Sequence, residues 1–161
     1  MFEKTIPAFG QIENKIFAYP VRVYYEDTDA GGIVYYANYL KFAERARTEF
    51  IRTLGVNQEK NLEAGQTGFV VRSCNIDYIA SARLDDALVV TCKILEVGGA
   101  SLRVLQEIYR GDTLLTKIEV KLIHMSLALK RPVRIDTDLS AKIKELLITD
   151  SYFQNGAFAF L

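Results

Sequence analysis

The chain has 161 residues and a formal net charge of zero at pH 7, with 20 basic and 20 acidic side chains. That length suits one domain with a sizeable core, and the even charge offers no basic field for a nucleic-acid backbone, so no nucleic-acid partner is expected. No run reaches the roughly 18 apolar residues needed to cross a bilayer, which argues against an integral membrane segment.

The opening stretch MFEKTIPAFGQIENK lacks an unbroken apolar run and a small-residue cleavage site. It does not read as a secretory signal, and the cytoplasm is the expected compartment. Residues 1–19 show no clean hydrophobic period and contain Pro7 and Gly10. They read as a leader with room for a short edge strand, ahead of a domain at 20–137 and a helix and tail at 138–161. Residues 20–26, PVRVYYE, alternate: Val21, Val23 and Tyr25 face one side, and Arg22, Tyr24 and Glu26 the other. That pattern predicts a half-buried strand with Pro20 at its start.

Residues 38–54, NYLKFAERARTEFIRTL, carry Tyr39, Phe42, Ala43, Ala46, Phe50 and Leu54 at helical spacing, one wide apolar stripe. Asn38 is the predicted N-cap and Gly55 the stop. Arg45 and Glu49 are spaced to pair on the outer face. The segments 69–79, 86–97, 101–110 and 113–128 are rich in Val, Ile, Leu, Thr and Tyr and predict four strands. Gly98-Gly99 and Gly111-Asp112 predict hairpin turns, so successive strands are antiparallel. Residues 138–148 predict a last helix capped by Asp138, and 150–161 have no clear pattern. Cys74 and Cys92 lie in strand-like runs and read as small buried hydrophobes with free thiols. The order β–α–β–β–β–β gives one striped helix and one continuous sheet to bury it. It leaves a sheet edge open, the kind of edge that a second copy closes, and net neutrality puts little repulsion between copies.

Between the first strand and the helix the sequence reads YYEDTDAGGIVYYANY, residues 24–39. Two carboxylates, Asp27 and Asp29, stand beside Gly31-Gly32. One reading is a turn that caps the helix, with Asp27 as an Asx-type turn residue. The other is a reaction site. Glycine lets a backbone approach a ligand closely, and a helix start presents unpaired N–H groups and the positive end of its dipole. A carbonyl oxygen held there is polarised, and the charge developing in acyl transfer is stabilised. A carboxylate beside it attacks the acyl carbon or activates water. Composition and spacing leave both readings open.

The stretch V-x-V-Y-Y-E-D-T-D-A-G-G-I-V-Y-x-A-N-Y, then E-R-A-R-T-E in the helix, V-V-R and A-R-L-D-D, resembles the YbgC-like acyl-CoA thioesterases. These belong to the hot-dog-fold 4-hydroxybenzoyl-CoA thioesterase superfamily, and the resemblance runs from about Pro20 to about Arg134. It implies an α+β hot-dog fold, an antiparallel sheet of about five strands wrapped around one long central helix. It implies that Asp29 is the catalytic carboxylate, that Asp27, Gly31 and Gly32 support it, and that the backbone N–H of Tyr36 is the oxyanion donor. Most YbgC-like enzymes carry His at the position of Tyr36. Here the order is Tyr35-Tyr36-Ala37-Asn38-Tyr39, closer to 4-hydroxybenzoyl-CoA thioesterases that use an Asp nucleophile. A main-chain donor survives that change.

The resemblance further implies hydrolysis of an aliphatic or aryl acyl-CoA to a free acid and CoA. CoA is then part of the substrate, and neither cofactor nor metal is expected. Ser101 and the basic cluster Lys130, Arg131 and Arg134 are expected to hold the pantetheine arm and phosphates, a solvated turn being the plainer reading of the cluster. Glu44, mid-helix, resembles the carboxylate of a second hot-dog lineage. His124, the single histidine, reads as a core or interface residue, and a lone His argues against a metal site. A homodimer or homotetramer is expected. One sheet curled round one helix leaves no deep cavity in a single protomer, so the acyl group is expected between two copies. The other function classes are a non-catalytic module holding acyl-CoA or acyl carrier protein, and an accessory of the Tol–Pal envelope machinery.

Overall fold

An apolar stripe on a helix needs a surface to cover it. In the computed structural model, which describes residues 10–63 and 66–149, that surface is one antiparallel sheet. Helix α1 (Asn38–Thr53) buries Tyr39, Phe42, Ala43, Ala46 and Phe50 against it. The strands are β1 (Gln11–Glu13), β2 (Ile16–Arg22), β3 (Thr67–Tyr78), β4 (Ala87–Val97), β5 (Ser101–Arg110), β6 (Thr113–Ser126) and β7 (Arg131–Pro132). Two short helices, α2 (Gln58–Glu63) and α3 (Thr137–Glu145), complete the described elements. The strand order is β1-β2-β4-β5-β6-β3, with β7 beside β6. This is the hot-dog arrangement, a sheet wrapped round a central helix. It has seven strands among the described residues rather than about five, because β1 and β7 extend it.

The alternation read in LVVTCKI holds on the helix side. Leu88, Val90, Cys92 and Ile94 are buried and join Leu102, Val104, Ile118 and Val120 in one cluster with Phe17 and Phe42. Phe42→Ala removes a fully buried ring from its centre. Truncations of that kind cost ~3–5 kcal/mol. A urea-unfolding series at fixed protein concentration is expected to show that loss, and a change below ~1 kcal/mol would place Phe42 outside the core.

A polar pin crosses this core. Gln106, fully buried, donates from Nε2 to the Ala43 carbonyl at 2.9 Å and to Cys92 Sγ at 3.1 Å, and accepts from Arg47 at 2.6 Å. One side chain thus ties the middle of α1 to β4 and β5. Burial pushes the Cys92 thiol up to about 12, so it stays a thiol and packs as a small hydrophobe.

Several boundaries differ from the sequence expectations, each for a local reason. The sheet takes in residues 11–19 of the presumed leader, because β1 and β2 form a hairpin there, in register from Gln11↔Ala18 to Glu13↔Ile16. Pro20 is therefore inside β2, past the described residues of β1, and on its other side it pairs with Val89 of β4. Val21 and Val23 are buried, but Tyr25 is 83% exposed, since Tyr25–Asp27 is a 3-10 turn rather than strand. Glu49 pairs with Arg52, not Arg45. Asp136, not Asp138, caps α3, its Oδ2 accepting from Asp138 N and Leu139 N. Cys74 is exposed, because β3 ends the sheet and shows most of its residues to solvent. The stop at Gly55 holds: its N–H donates to the Arg52 carbonyl at 2.9 Å. The tail 150–161 lies outside the described residues.

Candidate active site

The acidic stretch folds into two linked turns. In the first, the Tyr25–Asp27 3-10 turn, Asp27 is buried and its Oδ2 accepts from Tyr24 N at 2.8 Å. Its carbonyl accepts twice more, from Tyr35 N at 2.8 Å and from Asn38 Nδ2 at 2.9 Å. So Asp27 is a supporting residue by position. The second turn is a tight loop closed by the Thr28↔Val34 bridge. Within it, Asp29 N donates to the Ile33 carbonyl at 2.9 Å and Gly32 N to the Asp29 carbonyl at 3.0 Å. Val34 N donates to the Ala82 carbonyl at 2.9 Å and straps the loop to the chain ahead of β4.

Asp29 sits exposed at the tip of that loop. Its Oδ1 accepts from Gly31 N at 2.8 Å, which fixes the rotamer. Its Oδ2 has no hydrogen-bond partner among the described residues. Gly32 has φ +78°, a conformation that L side chains rarely adopt. A Cβ on Gly31 would stand 3.1 Å from Asp29 Oδ1, so a side chain there presses on the carboxylate itself.

The start of α1 is the other half of the site. Asn38 does not cap it, because it is already the first helical residue, and its Nδ2 donates to the Asp27 carbonyl. Ala37 occupies the cap position and makes no side-chain cap bond. The N–H of Tyr36 meets no backbone acceptor among the described residues. The helix thus presents open donors and the positive end of its dipole beside a carboxylate.

Tyrosines wall this end. The Tyr36 carbonyl accepts from the Tyr78 hydroxyl at 2.9 Å, and ring centroids lie 4.9 Å apart for Tyr35–Tyr36, 6.1 Å for Tyr36–Tyr78 and 5.8 Å for Tyr39–Tyr78. The Tyr35 phenol is held above its ordinary range, first by its hydrogen bond to Tyr36, then by charge on Tyr36, by slight desolvation and by Asp29. Tyr78, brought in from the end of β3, is a site neighbour that no sequence signal marks.

The expected CoA residues lie elsewhere in the protomer. Ser101 pairs with Ile123 of β6, and Arg131 with Ser126, whereas Tyr78 beside the acid loop pairs with Thr116. At about 3.3 Å per residue, the two groups stand roughly 23–33 Å apart along β6. Arg134 lies with Ser101's end, its guanidinium 3.8 Å from where a Gly99 side chain would begin, and Lys130 is exposed in the turn before β7.

A cavity of about 650 Å³ opens at that same end, between α1, α2 and β3. The apolar stripe of α1 faces β4 and β2, and this open cleft is left beside β3. Glu44, Thr48, Phe69, Val71, His124 and Leu139 are among its lining residues, and Asp29 is not. Glu44 is paired with the buried Arg47. His124 is buried, its Nδ1 lying 3.1 and 3.0 Å from the Val133 and Arg134 carbonyls. Carbonyls accept, so Nδ1 carries the proton and His124 is a pinned core residue at the cavity wall.

Comparison with known proteins agrees with this geometry. The family model described as Thioesterase superfamily matches residues 31–117. The chain is 46% identical over 130 residues to the acyl-CoA thioesterase YbgC of Haemophilus influenzae, covering 81% of this chain and 96% of that one. It resembles the structure of a probable thioesterase from Bartonella henselae with TM-score 0.71 and 32% identity, over 75% of this chain and 99% of the other. A 1,4-dihydroxy-2-naphthoyl-CoA thioesterase from Synechocystis shares the fold with TM-score 0.75 at 21% identity, over 81% of this chain and 97% of that one. The wrapped sheet and the sequence are those of the thioesterase superfamily, to which this chain belongs as a relative of the YbgC proteins.

Proposed function

We propose that this chain hydrolyses acyl-CoA thioesters to a free acid and CoA. The observation that carries the reading is Asp29, with Oδ1 pinned and Oδ2 open, beside an uncapped helix N-terminus. The Tyr36 N–H receives the thioester oxygen as it gains negative charge. Asp29 then attacks the acyl carbon to give a mixed anhydride, which water cleaves to the free acid and the restored carboxylate, or it takes a proton from a water that attacks the acyl carbon directly; in both routes CoA leaves as the thiolate and is protonated by solvent. A thioester is already activated, so the reaction calls for neither metal nor redox cofactor. A module that only held its ligand would have no use for an open carboxylate at this place. A cytoplasmic location belongs to the same reading and is supported by two unpaired cysteines.

The reading includes at least a homodimer. β3 is the outer strand on its side of the sheet, with Val70, Val71, Tyr78 and Ile79 at 41–57% exposure. Antiparallel pairing of two β3 strands lays one copy's Tyr78 end beside the other's Thr67 end. That brings Asp29 of one copy toward the cavity, Ser101 and the basic cluster of the other, and joins what a single protomer keeps apart. The test is a panel of aliphatic and aryl acyl-CoA substrates with released thiol measured at steady state. No release from any of them would sink the hydrolase reading.

Tyr36→His is expected to hold the rate on the best substrate within about tenfold, while the ranking of acyl groups changes. The donor is main-chain, and only the exposed ring is exchanged. Tyr36→Phe tests the same point from the other side: a folded but inactive Tyr36→Phe would make the phenol, not the N–H, the essential group.

A further inference from the structure

His124 stands on the α1 side of β6, two residues from Leu122 of the core cluster, and is only 7% exposed. Its ring is held on two sides. Nδ1 shares its proton between the Val133 and Arg134 carbonyls, at 3.1 and 3.0 Å, and the Phe69 ring lies against the imidazole with centroids 5.0 Å apart. With the proton on Nδ1, the other ring nitrogen, Nε2, offers a lone pair and nothing else. It has no hydrogen-bond partner among the described residues. Nor is it sealed in: among the described residues only the Thr116 hydroxyl is both enclosed and unpartnered. Nε2 therefore opens onto the cleft of about 650 Å³ that His124 lines. Phe69, Val71, Leu122 and Leu139 give that cleft an apolar wall. A ligand that fills it must bring a donor to Nε2 or leave a buried acceptor unpaired.

We infer that His124 Nε2 accepts a hydrogen bond from a hydroxyl at the far end of a straight acyl chain, so that this chain selects ω-hydroxyacyl thioesters; this rests on the thioesterase reading above and on the β3 pairing that goes with it. Phe69 is in register with His124. Antiparallel pairing about the middle of β3, near Cys74, sets Phe69 opposite the Tyr78–Ile79 end of the other copy, the end beside its acid loop. From there to His124 the acyl chain crosses two strand gaps, β3 to β3 and then β3 to β6, roughly 10 Å in all. An extended chain advances about 1.2 Å per bond, so about six to eight carbons span the distance. A terminal hydroxyl then meets Nε2 and donates to it. A terminal methyl leaves Nε2 unpaired, and an ionised terminal carboxylate only accepts, so neither satisfies the site.

The experiment compares matched thioesters: 6-hydroxyhexanoyl-CoA against hexanoyl-CoA, and 8-hydroxyoctanoyl-CoA against octanoyl-CoA. The readout is the ratio of kcat/KM, hydroxylated over plain, and in the wild type it is expected to reach about tenfold or more in one of the pairs. His124→Asn keeps an amide nitrogen for the Val133 and Arg134 carbonyls but has no acceptor at the place of Nε2, and its ratio is expected to fall to about one. His124→Gln carries an amide oxygen out to that place and is expected to keep most of the preference. Unfolding temperatures of both variants are checked. A wild-type ratio near one in both pairs overturns the assignment and leaves the hydrolase reading standing. A ratio unchanged in His124→Asn overturns it as well, and so does an equal loss in His124→Gln, which would make anchoring the whole role of the ring. A preference confined to 4-hydroxybenzoyl-CoA over benzoyl-CoA also overturns it, because that hydroxyl lies too near the thioester to reach one strand inward. A second arm needs no substitution: the S-octyl and S-(8-hydroxyoctyl) thioethers of CoA, which cannot be hydrolysed, are titrated calorimetrically into the wild type. Tighter binding of the hydroxylated thioether, in a protein that hydrolyses no thioester, sinks the hydrolase reading and leaves His124 assigned.

Discussion

Asp29→Asn is expected to fold as the parent does and to lose ~10²–10⁴-fold or more in turnover. The amide keeps the shape of the carboxylate and an oxygen to accept from Gly31 N, the 2.8 Å bond that shapes the loop. The bonds that close the loop, from Asp29 N and Gly32 N, are main-chain and unaffected. What is lost is the negative charge on Oδ2, and with it both nucleophilicity and basicity. Thiol release at saturating acyl-CoA measures the effect directly. Turnover close to the parent's on every thioester would move the reaction to another carboxylate, and Glu44 on the cavity wall is the next in line.

Cys74→Lys is expected to split the assembly and the activity together. Cys74 is exposed on the outer strand, near the middle of Thr67–Tyr78. A two-fold pairing of β3 strands therefore sets position 74 of one copy close to position 74 of the other. Lysine is a natural blunting residue for a sheet edge, and here it would meet its own charge. Disrupting a central interface position costs ~2–4 kcal/mol, enough to weaken a dimer by roughly 30- to 1000-fold. Light scattering during gel filtration reads the mass, and specific activity is taken at the same concentration. A monomer with full activity would refute the shared site, and an unaltered dimer would show that this edge is not the interface.

The central helix was legible because its burial follows a period, and the four long strands because they are rich in β-branched and aromatic residues, with a clear alternation in β4. The stripe from Tyr39 to Phe50 and the alternation from Leu88 to Ile94 each leave one face on the core. Where no face is buried, no period appears. That hid the exposure of Cys74 on β3, and it hid α2, whose residues QEKNLE are mostly polar. The Gln11–Arg22 hairpin was obscured by its shortness and by Pro20. Within the site, Asp29 and the glycines could be named from their neighbours in the chain. Asn38 was assigned a cap because Asn before a helix usually is one. Its bond to the Asp27 carbonyl depends on how the loop folds back. Tyr78 was out of reach for a related reason: its place follows from which strands are neighbours.

The outer strand has a further consequence, for the life of the chain before it meets another copy. A newly made protomer carries a 12-residue strand whose outer edge pairs with no other strand among the described residues, a template for any extended peptide. Val70, Val71 and Ile79 add apolar surface to it, and net charge is zero, so little repulsion holds strangers off. On the β3 pairing proposed above, slow expression at low temperature is expected to raise the soluble yield, because each protomer then meets a folded copy before an unfolded neighbour.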